Sequence, residues 1–271
     1  MLTTTTRQLL SRSSALAPMT AGRPYTRSAS ALPPARVVRP ADEADVSKCV
    51  WTLASAFDRV PCTNAFSAES GQTVLAYVDK TIRSSLGENG VLVEAANSSA
   101  VALWELPCTQ HANEHQGREQ EQQQQQQDEE QEEENTGEEK MKRRTYGPVK
   151  EEWKRVVHRA KAKYIGTEKS TGAVRPHYHL DFLARNPAVP KIPGAISAVV
   201  LPYLARAEQD QLSVWLEATS LDVVTLYQHF GFRVLEEITV GVGRVDGSGA
   251  PRKGGEGVKA WLMLVDNHES S

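Results

Sequence analysis

The feature that most constrains this chain lies in its middle. Between residues 109 and 147 runs an unbroken glutamine tract, Gln122–Gln127, then Asp128, Glu129, Glu130 and Glu132–Glu134, and finally Lys142, Arg143 and Arg144. Almost nothing there is apolar, so nothing offsets the entropy lost on ordering, and the segment is expected to be a disordered insertion. Any fold has to be closed by the residues on either side. Residues 35–108 and 148–268 amount to 195 positions, which suits one interrupted domain.

Charge separates the pieces further. The whole chain carries −3; residues 1–41 carry +6 and residues 111–139 carry −10, which leaves the rest at +1. A near-neutral folded part argues against nucleic acid as the main partner, because phosphate binding needs a basic surface. No stretch approaches the roughly 18–20 apolar residues of a membrane span, so no membrane partner is expected. Residues 1–34 are rich in Ser, Thr and Arg and lack acids. They read as a disordered N-terminal segment with the composition of a mitochondrial transit peptide, which places the protein in the matrix; the alternative, a plain tail, leaves it cytoplasmic. Cys49, Cys62 and Cys108 are odd in number and form no C-x-x-C pair, so free thiols are expected rather than a disulfide framework or a zinc site.

Outside the insertion, short strands alternate with helices. Arg36–Arg39 reads as a strand, and Asp42 as the cap of a helix with Val46, Cys49, Val50, Leu53 and Phe57 on one face. Ser70 is expected to open a second helix through Leu86. Val91–Ala95 and Ala100–Glu105 form a hairpin around Asn97–Ser98. A helix over Glu151–Lys163 follows, then a strand His177–Arg185, a helix Ser197–Glu208 that holds Pro202, and a strand Ser213–Ala218. A short helix to His229 and the strands Phe232–Thr239 and Val258–Val265 complete the order. The fold class is α/β (α+β), a central mixed sheet with helices on both faces.

The segment from His177 to Phe232 ends in Leu226-Tyr227-Gln228-His229-Phe230-Gly231-Phe232. With Arg39-Pro40-Ala41, Ala54-Ser55-Ala56-Phe57, Ala102-Leu103-Trp104, Ser197–Pro202 and Trp215-Leu216-Glu217, it resembles the GNAT superfamily of N-acetyltransferases. Within that superfamily the strings are most similar to the puromycin N-acetyltransferase-like small-molecule enzymes. The resemblance spans the 195 folding residues in order. It implies a mostly antiparallel sheet of about six to seven strands, acetyl-CoA as co-substrate, no metal, and a primary amine of a small molecule as acceptor. Protein or peptide N-acetylation, and a catalytically weakened binding module, remain the alternatives.

Site residues follow from the same resemblance. The family's pyrophosphate loop matches Lys191-Ile192-Pro193-Gly194-Ala195-Ile196 with Ser197 next; Lys191 replaces Gln or Arg, and Ile196 stands where Gly or Ala is usual. Helix N-termini hold anions through free amides and the dipole, which is the physical reason for a glycine turn there. Leu183, Ala184 and Arg185 match the strand whose backbone pairs with the pantetheine arm. In the same strand, period-two alternation puts His177, His179, Asp181 and Leu183 on one side. His179 and Asp181 match the family's general-base positions, and a His with an ordinary pKa near 6.5 is suited to that work. Tyr227 matches the general acid for the leaving thiolate, and a phenol with a pKa near 10 is still protonated at pH 7. Glu217 on the neighbouring strand is left unassigned.

Overall fold

A computed structural model describes residues 32–107 and 147–267. Residues 1–31 of the N-terminal segment, Cys108 and all but the last residue of the Gln/Glu-rich insertion lie outside the described residues, as do the expectations placed on them.

Among the described residues thirteen elements follow one another: β1 (Ala35–Val38), α1 (Glu43–Phe57), α2 (Pro61–Glu69), α3 (Val74–Leu86), β2 (Gly90–Ala95), β3 (Ala100–Glu105), α4 (Pro148–Tyr164), β4 (Tyr178–Arg185), α5 (Ala195–Gln209), β5 (Val214–Ala218), α6 (Leu221–His229), β6 (Arg233–Val240) and β7 (Val258–Val265). The strands form one seven-stranded sheet in the order β1-β2-β3-β4-β5-β7-β6. Every neighbouring pair is antiparallel except β4 and β5.

Alternation along the strands builds two cores. In β3, Val101 and Leu103 face a layer made by α1–α4, while Ala100, Ala102 and Trp104 face α5 and α6. Buried apolar side chains of α1 (Val46, Cys49, Val50, Leu53) are those its helical spacing predicts. On the other face the Trp104 indole donates to the Val199 carbonyl at 3.1 Å and stacks on Tyr203, which anchors α5 in the half that holds Pro202. Pro202 cannot donate to the carbonyl four residues back, but the packed helix continues through it.

Local expectations failed at three places. The stretch expected to hold one helix holds two, because Pro61 starts α2 at its first turn, where its missing N–H costs nothing. Ser70 ends α2 rather than opening the next helix, and α3 is capped by Thr73, whose hydroxyl accepts from the Ala76 amide at 3.2 Å. Asp42 precedes α1 without capping it through its side chain; its carboxylate is taken up by Arg39 at 2.9 Å. The hairpin turn is as expected, with Ala96, Asn97 and Ser98 all in the left-handed region.

The loop between β6 and β7 closes over α2 and α4. Gly249 (φ +86°) lies so close to α2 that a Cβ would collide with the Pro61 carbonyl oxygen. Glu152 of α4 accepts from the Gly241 amide at 3.2 Å and from Arg244 at 3.3 Å. These contacts fix α2 and α4 as one wall of the space described next.

Candidate active site

β4 and β5 pair at Tyr178↔Val214 and His179↔Trp215 and then part. The lip of β4 beyond that point, Leu183–Arg185, faces a cleft of about 1590 Å³ that crosses the molecule from α5 and α6 to α2, α3 and α4. A single small ligand usually fills about 300–1,000 Å³, so this space has room for a large cofactor and an acceptor together.

A bulge sets the chemistry of β4. Leu103 pairs with Phe182 but Trp104 pairs with Leu180, so Asp181 is the extra residue. The alternation expected over this strand therefore breaks at Asp181. Phe182 and Ala184 join the same core as Leu103, on the side where His179 meets Glu105, whereas Leu183 packs against the other core.

His179 sits between two carboxylates. Its Nδ1 is 2.8 Å from Glu105 Oε2 and its Nε2 is 2.9 Å from Glu217 Oε2. The other oxygen of Glu217 accepts from the Trp215 indole at 2.6 Å. Burial and the nearby Lys161 disfavour a charged imidazole here. Glu217 and Glu105 more than offset them and hold its pKa up at about 9. Burial would raise Glu217 in the same way, but the facing His179 keeps it ionised, down at about 2. At neutral pH His179 is therefore an imidazolium that donates from both nitrogens. Asp181 is different. Burial pushes its carboxyl up to about 7, with His179 pulling the other way and Glu105 and Glu217 adding to the rise.

At the other end of the cleft, Gly194 caps α5 in the left-handed region at φ +82°, where a side chain is strained. A Cβ there would also press on Pro33 at 3.1 Å and Leu32 at 3.3 Å. The Ala195 amide that opens α5 bonds back to the Ile192 carbonyl at 3.2 Å, and the first bond within the helix runs from the Ala198 amide to the Gly194 carbonyl, so Ile196 and Ser197 carry the first-turn amides that a helix start leaves for a ligand. Ala195 and Ser197 are buried, Lys191 is exposed on the loop, and Ile196 turns its bulk against the core beneath the sheet while still bordering the cleft. Arg185 holds the loop by donating to the carbonyls of Asn186 and Val189 at 3.3 and 3.1 Å. Tyr227 of α6 is 8% exposed and stands edge-on to Phe232. Burial first, and Glu217 second, keep its phenol protonated well above the usual range.

All eleven residues singled out from sequence, His179, Asp181, Leu183–Arg185, Lys191, Gly194–Ser197 and Tyr227, line this one cleft. Sequence reasoning missed Glu105 as a partner of His179, and it missed the lysines of α4. Glu105 is opposite His179 through strand register, which leaves no local signal. The lysines recur at Lys150, Lys154 and Lys161, a spacing that marks one helix face without saying what the face looks onto.

No family model matches the chain. Increased recombination centers protein 11 of Saccharomyces cerevisiae is 32% identical over 88 residues, which are 32% of this chain and 56% of that protein. An uncharacterized protein of the same yeast is 30% identical over 88 residues, 32% of this chain and 38% of its own length. The chain thus spans about half or less of the curated relatives it matches. Among solved structures, a mosquito arylalkylamine N-acetyltransferase like 5b superposes with a TM-score of 0.51 at 12% identity, covering 86% of this chain and 98% of that one. Its sheet-and-helix arrangement and the one described above coincide at that level, and the chain has the GNAT-type N-acetyltransferase fold.

Proposed function

We propose that this protein transfers an acetyl group from acetyl-CoA to a primary amine of a small molecule, by direct attack in a ternary complex. The observation that carries the reading is the parting of β4 from β5, with a carboxyl of raised pKa and a protonated tyrosine on the walls of the same cleft. Residues Lys191–Ser197 would hold the pyrophosphate, through first-turn amides and the Lys191 ammonium. The strand edge at Leu183–Arg185 would pair with the pantetheine arm. The puromycin N-acetyltransferase-like strings in the sequence support a small acceptor.

The proton steps divide between two residues. Asp181, with a pKa of about 7, takes the proton from the acceptor ammonium, directly or through one water. The freed nitrogen pair attacks the thioester carbonyl, a C–N bond forms and the C–S bond breaks. The coenzyme A thiolate leaves with a proton from Tyr227, and the second proton lost by the nitrogen passes through water to the Tyr227 phenolate, which leaves a neutral amide, a free thiol and a restored phenol while Asp181 returns its proton to solvent. His179 is committed to Glu105 and Glu217 as an imidazolium, so its part is to hold those carboxylates and to moderate the rise at Asp181.

Calorimetry with acetyl-CoA on the full chain tests the cofactor half. Micromolar binding by wild type and by Tyr227→Phe, lost in Gly194→Glu, supports the reading. Absence of binding to the folded wild-type protein overturns it and leaves a binding module built on this fold. Thiol release in an amine screen then tests the transfer itself.

A further inference from the structure

Helix α4 carries a fixed ammonium to the cleft that holds Asp181. Its N-terminus is stapled by Glu69 at the end of α2, whose carboxylate accepts from the amides of Val149 at 2.9 Å and of Lys150 at 3.2 Å. Gly147 lies so close that a Cβ there would meet the Glu69 side chain at 2.5 Å. The Lys150 side chain is held at its far end as well. Its Nζ donates to the Tyr77 hydroxyl at 2.7 Å and lies 4.5 Å from that ring and 6.0 Å from the ring of Phe66. Lys150 is half-buried, and Lys150, Tyr77 and Asp181 border the same cleft.

Holding an ammonium among aromatic rings is costly unless an opposite charge faces it. Burial first, then Lys154, and last Lys80 bring Lys150 down to about 8, while Asp181 acts on it in the other direction. The same attraction works on Asp181. After burial, His179 beside it on β4 and Lys150 of α4 favour its ionised form, and Glu105 of β3 and Glu217 of β5 oppose them. His179 is the stronger of the two cations, but both its nitrogens are bonded to those glutamates. Lys161, two and a half turns further along α4, steadies Glu105 and Glu217 in the same sense as Lys150 steadies Asp181.

Resting on the acetyltransferase reading above, we propose that Lys150 is a positioning residue for the reaction: its ammonium, clamped by Tyr77 on the cleft wall, holds Asp181 in the ionised form that takes the acceptor's proton. It acts through Asp181 and not on the reacting atoms.

The test applies two readouts to the full chain. Thiol release with saturating acetyl-CoA, and propylamine, 1,4-diaminobutane and 2-phenylethylamine as acceptors, gives kcat/KM against pH. Carbon-13 NMR of aspartate-labelled protein, with the signal assigned through Asp181→Asn, titrates the carboxyl without turnover. In Lys150→Gln the Asp181 midpoint and the rate limb should both move up by about half a unit to one unit. That lowers kcat/KM about three- to tenfold near pH 6 and leaves it level with wild type near pH 8.5, where Asp181 is ionised in either protein and Lys150 is losing its own proton. Lys150→Arg should keep the wild-type midpoint. Tyr77→Phe, which loosens the ammonium without removing it, should move the midpoint the same way by less, and it carries the test if melts show that Lys150→Gln does not fold. Lys169→Gln, an exposed lysine outside the cleft, should change nothing.

A midpoint that stays put in Lys150→Gln overturns the inference, as does a rate loss equal at every pH, which marks a side chain needed only for packing. The two readouts separate this inference from the reading beneath it. A shifted carboxyl without acetylation of any amine sinks the acetyltransferase reading and keeps the coupling of Lys150 to Asp181. Turnover with an unshifted carboxyl does the reverse, and neither shift nor turnover overturns both.

Discussion

Replacing Glu217 by glutamine tests the charge arrangement at the centre of the cleft. Glutamine keeps an oxygen for the Trp215 indole but removes the charge that faces His179 at 2.9 Å. With His179 raised from 6.5 to about 9, and one pKa unit worth about 1.4 kcal/mol, the imidazolium contributes about 3 kcal/mol to folding. Glu105 shares that contribution, but its side chain is 38% exposed and is screened by solvent. Glu217, 8% exposed, carries the larger part, about 2 kcal/mol. The depressed pKa of Glu217 describes the same pair and adds nothing further. Because the folded pKa of His179 is raised, the contribution is fully present below pH 6.5 and disappears as pH climbs through about 9. Urea unfolding should therefore find Glu217→Gln less stable by about 2 kcal/mol at pH 6 and level with wild type, or slightly above it, near pH 10. The imidazole C2 proton of His179 should titrate near 9 in wild type and more than a unit lower in the variant. A loss that stays constant from pH 6 to 10 would mean packing rather than charge, and would refute the reasoning.

Asp181→Asn removes the proposed base; kcat should drop by about two to four orders of magnitude. Wild-type kcat/KM should rise tenfold per pH unit up to about 7 and then level, a limb absent from the variant. Tyr227→Phe should lower kcat with little change in acetyl-CoA affinity, read by steady-state kinetics beside calorimetry. Gly194→Ala introduces a Cβ at φ +82° against Pro33 and Leu32, and should weaken acetyl-CoA binding several-fold by calorimetry. Gly249→Ala pairs a strained φ of +86° with a collision at the Pro61 carbonyl, and should cost about 2–4 kcal/mol in urea unfolding while also disturbing the acceptor wall.

What sequence made visible, and what it hid, divides along physical lines. The helices of α1 and α5 were legible because their apolar residues repeat at helical spacing, and the strands of the hairpin because theirs alternate about a polar turn. The failures lie where a competing local device won: Pro61 started a helix with little periodicity of its own, and Thr73 rather than Ser70 supplied the cap. Within the site, the residues carried by contiguous strings came together in one cleft. The partners that set their chemistry were invisible, because strand register and the bulge at Asp181 arise between strands and not within them. Those partners decide the roles. A histidine in a strand reads as a base until Glu105 and Glu217 are known to hold both its nitrogens; then it is a fixed cation. An aspartate reads as ionised until its burial beside those carboxylates is known; burial raises its pKa to about 7, which is why Asp181 is the proposed base. The proposed exchange of roles rests on these contacts and on the burial and charge that shift both groups, so a pH-rate profile that tracks Asp181 and is unmoved by the conservative variant His179→Lys would establish it, whereas a profile that vanishes in that variant would return the base to His179.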